Sequence, residues 1–435
     1  MKKLFILLCI TTLASINVFG QNYTLKKCVE VAVKNNPTFQ RAYLNAELAE
    51  ASNAEAKARN IPQIQGYFSQ GMNFGRSIDR FSNDYINQLY NSTYGGLQMN
   101  MPIYKGFQTK NLIESSKLLQ QAERQNIDAD KNQLSINLLK AYLDVLASKE
   151  LLTSATKQLE NSQIQLNRQE KMLAAGTSGK LEQLQFSNQV ATDKGSLIDA
   201  QYNYKITRLA LFQLMNIKAD DNADFESIIP YEIGQETVLS LTTNPTEFLP
   251  EYKSFELQSL SFDRRIRANR AENSPSVNLS GNYSTFYASS NPERTFFQQV
   301  NDTRNGSFSL NLAIPIFSKF QTSPRTQQLA IQKKIVENNR RIRENALQQD
   351  LESVMLMLKA MGERYQNATQ QVEISKENLK LVELRIEAGT IHPIEFSLAQ
   401  ANLEKAVSNQ IQTKFRWILQ KKMLGYYQTG EFDFL

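Results

Sequence analysis

The chain has 435 residues, is 41% hydrophobic and 21% charged, and carries a formal net charge of +6. That mild excess is spread along the sequence, which argues against a nucleic-acid partner, for which clustered basic residues are needed. One histidine and two cysteines leave no catalytic triad, thiol dyad or metal cluster, so neither an enzyme nor a cofactor is expected.

The first twenty residues, MKKLFILLCITTLASINVFG, have two lysines, an apolar stretch from Leu4 to Leu13, and a smaller, more polar end. This is the layout of a secretory signal peptide, with cleavage expected after Gly20. Its apolar run is too short to span a bilayer. Cys9 lies inside that run and follows Leu8 rather than a small residue, so lipidation is not expected. Cys28 is then the one cysteine left, and it cannot form an internal disulfide. No later segment reads as a membrane-spanning helix. An exported chain of this kind is either soluble outside the cytoplasm or crosses a membrane as β-strands.

The elements that follow come in a fixed order. A helical stretch over Thr24–Asn60 leads to a strand opening at Pro62, a polar loop, and a second strand ending at Pro102. A very long helix over Phe107–Leu173, a Gly-Thr turn and a returning helix of about 35 residues complete the set. Residues 218–247 lose the helical pattern and read as a linker with short irregular structure. The same order then recurs: helix over Phe248–Asn273, strands from Pro275 and to Pro315, long helix over Phe320–Glu387, turn, final helix. The correspondence is one of sequence as well as order. PIYKGFQT at Pro102–Thr109 is answered by PIFSKFQT at Pro315–Thr322, and the same spacing relates Pro37 to Pro250, Pro62 to Pro275, and Glu182 to Glu395. Prolines and glycines mark where elements begin and turn, so the element lengths themselves are duplicated. The expected organisation is a signal peptide (1–20), a first repeat (21–217), the linker (218–247), a second repeat (248–425) and a tail (426–435).

The second strand of each repeat alternates cleanly. Leu97, Met99, Met101 and Ile103 alternate with Gln98, Asn100 and Pro102; Phe308, Leu310, Leu312 and Ile314 alternate with Ser309, Asn311 and Ala313. Each strand therefore has an apolar and a polar face. A half-buried soluble sheet would show the same pattern. However, strands of about ten residues suit a tilted membrane crossing. The bracketing aromatics, Tyr104, Phe107, Phe317 and Phe320 at one end and Tyr94, Tyr287 and Phe296 toward the other, resemble the girdles of outer-membrane barrels. The apolar rows are thus expected to face lipid. Four strands cannot close a barrel, and an open edge in lipid leaves backbone groups unpaired. Three chains supply twelve strands, enough for a conducting barrel, whereas eight would be filled by side chains.

The long helices carry a seven-residue apolar step: Leu138, Val145, Leu152, Leu159, Leu166 and Leu173 in the first, Leu351, Leu358, Tyr365, Val372, Leu379 and Ile386 in the second. Such a step packs helices side by side as coiled coils. The predicted fold is mainly α: a coiled-coil helical barrel continuous with a twelve-stranded β-barrel shared by three protomers. Pro102 and Pro315 are the expected joints between strand and helix, since proline ends ladder pairing and has a helix-compatible φ.

With NNP at Asn35–Pro37, the strand–proline–long helix order and the AAGT and EAGT turns, the chain resembles the TolC-like outer-membrane efflux proteins over essentially all of its mature length. The resemblance implies a homotrimeric duct through the Gram-negative outer membrane and periplasm. It would join an inner-membrane transporter through a periplasmic adaptor and passively conduct drugs, metals, other small molecules or proteins. The turns containing Gly176, Thr177 and Glu182, and Gly389, Thr390 and Glu395, would then be the periplasmic tip where the adaptor docks. The two glycines would end their helices at positive φ, and the two glutamates would either cap the next helices or ring the entrance. His392 is expected to be a turn residue. The alternative is a non-conducting exported coiled-coil scaffold.

Overall fold

The computed structural model describes residues 22–228, 244–317, 319–387 and 393–432. The proposed signal peptide, Gly389, Thr390, His392 and half of the linker lie outside the described residues. In chain order the elements are β1 (Asn22–Tyr23), α1 (Leu25–Asn35), α2 (Pro37–Ala58), β2 (Gln63–Asn73), β3 (Arg76–Ile78), β4 (Tyr85–Asn87), β5 (Tyr90–Lys105), α3 (Gln108–Ala174) and α4 (Lys180–Met215). Then follow β6 (Asp224–Phe225), α5 (Pro250–Arg270), β7 (Ser276–Ala288), α6 (Phe296–Asp302), β8 (Asn305–Ala313), α7 (Lys319–Glu387) and α8 (Pro393–Thr429). No described helix is long and apolar enough to cross a membrane.

The order expected from the sequence is present, with three differences. The first helix is broken at Asn36, which is held extended because the residue before a proline is excluded from the helical region. Its side-chain oxygen accepts from Thr38 N at 2.9 Å and Phe39 N at 3.2 Å, so Asn36 caps the second segment. The polar loops are also structured. The first carries the β3–β4 hairpin, and the second carries α6, opened by a capping box between Thr295 and Gln298. Finally, α8 runs to Thr429, beyond residue 425, and β6 lies within the stretch read as linker.

The chain divides into two compact units. One is built from the described parts of Met1–Tyr43, Ile127–Leu249 and Arg343–Leu435, the other from Leu44–Asn126 and Pro250–Ile342. The first has a dense apolar core in which Cys28, Leu138, Val145, Leu211 and Met215 are fully buried beside Phe212, Phe225 and Trp417. The short parallel pair β1–β6 lies against it, and the buried Tyr142 hydroxyl reaches the carbonyls of Tyr23 (2.8 Å) and Glu226 (2.7 Å). Burial pushes the Cys28 thiol up to about 12, which makes it an inert packing residue. Beyond this core the leucine row of α3 is only half-buried; the buried row is Ser148, Ala155, Ser162 and Gln169, also at seven-residue spacing. Small and polar residues on that row let neighbouring helices approach closely. Further along, Phe186 and Phe396 pack 5.6 Å apart with Val382 and Ala399.

The second unit contains one four-stranded antiparallel sheet in the order β2-β5-β7-β8. Its helices are joined by small polar contacts. Ser115 and Ser261 hydroxyls lie 2.8 Å apart, and Asn269 Nδ2 donates to Thr322 O and Thr326 Oγ1, both at 2.9 Å. Asn53 donates to Gln120 and accepts from Ser116, tying α2 to the start of α3.

Candidate functional site

The sheet register sorts its side chains into two faces, because residues directly opposite in an antiparallel pair project to the same side. Ile64 opposes Met99, which opposes Gly281, which opposes Phe308; Met101 opposes Leu279, which opposes Leu310. One face is therefore apolar across all four strands. On the other, Gln63 opposes Asn100, Asn100 opposes Ser280, and Ser280 opposes Ser309. The polar side chains bond to one another: Asn311 Nδ2 donates to Ser280 Oγ at 3.0 Å, and Ser280 Oγ to Asn100 Oδ1 at 3.3 Å. Within the single chain the polar face is covered at its loop-bearing end, where Phe81 stacks on the buried Phe286, while on the apolar side Leu310 is 69% exposed and Phe308 80%.

Most residues expected to face lipid stand in the apolar row. Leu97, Phe308, Leu310 and Leu312 are exposed, and Met99 and Met101 half-buried. Ile103 departs from the row. The register slips between Pro102 and Tyr104, so Tyr104 takes the place opposite Val277 and Ile103 becomes the extra residue of a bulge. Ile314 is exposed but lies one residue past the end of β8.

The joints also differ from expectation. Pro102 does not end its strand, which continues to Lys105. Proline is tolerated there because β2 begins at Gln63, opposite Asn100, and past that point β5 has a neighbour on one side only. The switch into α3 is made instead by Gly106 (φ 56°) and Phe107 (φ 65°). In the second repeat Pro315 does fall between strand and helix, two residues beyond β8.

The glycines of the sheet form a pattern that the sequence reading missed. Phe68 lies against Gly95, Tyr67 over Gly96, and Phe308 against Gly281, each aromatic covering a cross-strand glycine on its own face. The Tyr67 hydroxyl thereby reaches Asn282 Oδ1 at 3.4 Å, two strands away. At the loop-bearing end, Arg80 stacks over the rings of Tyr94 and Phe286. The signals were present as the GG pair and the T-x-x-Q capping sequence.

At the first of the two turns, Gly176 has φ 73° and its N–H donates to Leu173 O, while Thr177 N–H donates to Met172 O, both at 3.0 Å. These paired bonds close the end of α3. Glu182 lies in the first turn of α4, its carboxylate folded back over Gly179, and Glu395 lies in the first turn of α8. Among the described residues no group of His, Cys, Asp or Glu could hold a metal ion.

The architecture has counterparts. The family model described as outer membrane efflux protein matches residues 28–216 and 253–422, the two repeats in turn. The chain belongs to the outer membrane efflux protein family. Outer membrane efflux protein BepC of Brucella suis biovar 1 (strain 1330) is 20% identical over 309 residues, which are 70% of this chain and 63% of the relative, less than two thirds of its length. The CmeC outer membrane channel of Campylobacter jejuni superposes with a TM-score of 0.78 at 16% identity, covering 96% of this chain and 91% of its own. The open state of the Neisseria gonorrhoeae MtrE outer membrane channel gives 0.74 at 17% identity, with 93% and 88% covered. The fold of this family member is thus that of the TolC-like outer-membrane factors, mainly helical with a strand portion.

Proposed function

We propose that the protein is the outer-membrane exit duct of a tripartite efflux or type I secretion system. It is a homotrimer that passively conducts cargo delivered by an inner-membrane transporter through a periplasmic adaptor. The observation that carries this reading is the sheet: one apolar face, one hydrogen-bonding face, and two unpaired edges, β2 and β8. An edge left open in lipid strands its backbone groups without partners, at several kcal/mol for each. Edge-to-edge pairing of three copies removes both edges and turns the amide face inward. Leu97, Met99, Met101, Tyr104, Phe308, Leu310 and Leu312 then meet outer-membrane lipid, with Ile103 and Ile314 at the lower margin. The turns with Gly176, Thr177 and Glu182, and with Gly389, Thr390 and Glu395, form the periplasmic tip and adaptor contact. The two repeats, 21–217 and 248–425, contribute equivalent columns, and residues 1–20 direct export and are then removed. The mass of the detergent-solubilised particle, with conductance in planar bilayers, tests the reading. Three chains per particle and a steady conductance are expected; a folded, water-soluble monomer overturns it.

A further inference from the structure

On the polar face the strands' own side chains are amides, hydroxyls and rings; Arg80 of the β3–β4 hairpin lies over Tyr94 and Phe286 at the loop-bearing end, and no strand residue is charged until the helix-side end. There stands Lys105, the one charged residue in the sequence of these strands. The register fixes its side: Lys105 opposes Ser276, which is in phase with Asn278 and Ser280. Lys105 is exposed and lines a cavity of about 360 Å³ with Gln108, Glu272, Ser274, Ser276 and Pro315. The carboxylate of this cavity is already engaged. Glu272 Oε1 accepts from Gln108 Nε2 at 3.0 Å and lies 3.6 Å from Arg325 Nη1. Lys105 makes no ion pair among the described residues. Lys105, Arg325 and Glu272 together leave one positive charge per chain.

We propose that Lys105 is the charge-selecting residue of the strand-built part of the duct. Three copies form a cationic ring where strands hand over to helices, and the ring favours anionic cargo or the carboxylate, phosphate or sulfate groups of larger cargo. The proposal rests on the trimeric-duct reading above. Its physical basis is the neutrality of the strands' own side chains between Arg80 at the loop-bearing end and Lys105 at the other. From Lys105 to Tyr90 the strand runs about 50 Å at roughly 3.3 Å per residue. Screening at physiological salt acts over about 8 Å, so a ring with no opposing charge along the strands sets the sign of the local potential. Gln108, Ser274 and Ser276 add polar groups beside the lysine, so an anionic group resting there exchanges water for protein contacts.

The test is the reversal potential of the full-length protein in planar bilayers under a KCl gradient. Relative to the unsubstituted channel, Lys105→Gln is expected to lower the chloride-to-potassium permeability ratio about threefold, and Lys105→Glu to lower it further. Lys105→Arg retains the original ratio. A Lys105→Cys channel removes concern over folding, because one assembly is measured before and after reaction with a cationic methanethiosulfonate, which restores chloride preference. The buried Cys28 does not compete for the reagent. Identical reversal potentials in conducting Lys105, Gln and Glu channels overturn the assignment and leave the duct reading standing. No conductance from the unsubstituted protein overturns both.

Discussion

The core around Tyr142 and the sheet around Leu310 are built from the same kinds of residues and reach opposite ends. In the first, helices, two short strands and Trp417 enclose Leu138 and Val145 completely, and the buried tyrosine hydroxyl finds two carbonyls. In the second, leucines at equally regular spacing stand bare, although β5 over 92–100 and β7 over 276–284 are paired on both sides. One region satisfies its own side chains within a single chain. The other satisfies only its backbone, and only away from β2 and β8. Apolar surface left this open on one continuous face marks contact with something beyond the chain. The polar face differs again, because Asn100, Asn282 and Asn311 bond to serine hydroxyls of the same sheet.

Two substitutions separate these regions most sharply. Leu138→Ala, at a site with no exposure, is expected to cost about 2–5 kcal/mol through lost burial and a residual cavity. Thermal unfolding of the assembled protein in detergent should report this as the largest loss of stability. Leu310→Ala, by contrast, should leave the fold of the chain intact. If the apolar row meets lipid, as proposed, Leu310→Lys places a charge at the level of the lipid chains and is expected to cost about 2–4 kcal/mol per protomer. Recovery of trimers from membranes measures that effect. Ser309→Lys, one residue away on the opposite face, should assemble normally; equal damage from both would erase the distinction between the faces.

How much of this was legible in the sequence follows from the same contrast. Alternation in Leu97–Met101 and Phe308–Leu312 named the apolar row correctly, because in a sheet the face follows from counting by twos. Ile103 was misplaced because a bulge resets that count, and nothing in the residue itself reports the slip at Pro102. The seven-residue row of α3 located the buried line at Leu138 and Val145 but not beyond them, where it passes through Ser148, Ala155, Ser162 and Gln169. Burial there is decided by which neighbours approach, and small polar residues permit closer approach than leucine. The Gly176 turn was readable, since positive φ has few alternatives to glycine. The pairing of Tyr67 and Phe68 with Gly96 and Gly95 joins β2 to β5, and register across strands is not written in either strand alone.

The twin octapeptides bring the comparison to one position. Gly106 in the first repeat corresponds to Lys319 in the second, yet Gly106 adopts φ 56° while Lys319 opens α7. A methyl group at Gly106 would also collide with Ser274. Gly106→Ala is therefore expected to cost about 1–2 kcal/mol, from the left-handed backbone and the contact together. Lys319→Ala should be close to neutral. Adding Ser274→Gly should recover the part of the loss that is steric, and thermal unfolding of the four proteins apportions the two causes. If Gly106→Ala proves neutral, the switch from strand to helix does not depend on this turn.

The smallest effect lies between α4 and α8. Asp193 is buried and accepts from Gln189 Nε2 at 2.9 Å and Gln400 Nε2 at 3.3 Å. One turn beyond Gln400, Glu404 has its pKa raised, first by burial and then by the charge of Asp193. The folded state thus holds the Glu404 proton more tightly than the unfolded chain. Its contribution to stability falls as pH rises through the raised folded value and returns as pH drops toward the ordinary carboxylate range. Glu404→Gln should therefore stabilise the protein at pH 7, by under about 1 kcal/mol because the site is partly open to solvent. Below the ordinary carboxylate range it should make no difference. Asp224 titrates in the opposite sense, held low chiefly by its hydrogen bond from Lys149, but this cancels when variant and parent are compared at each pH. A stability difference that does not change across that window would show that Glu404 is ionised alike in the folded and unfolded chains.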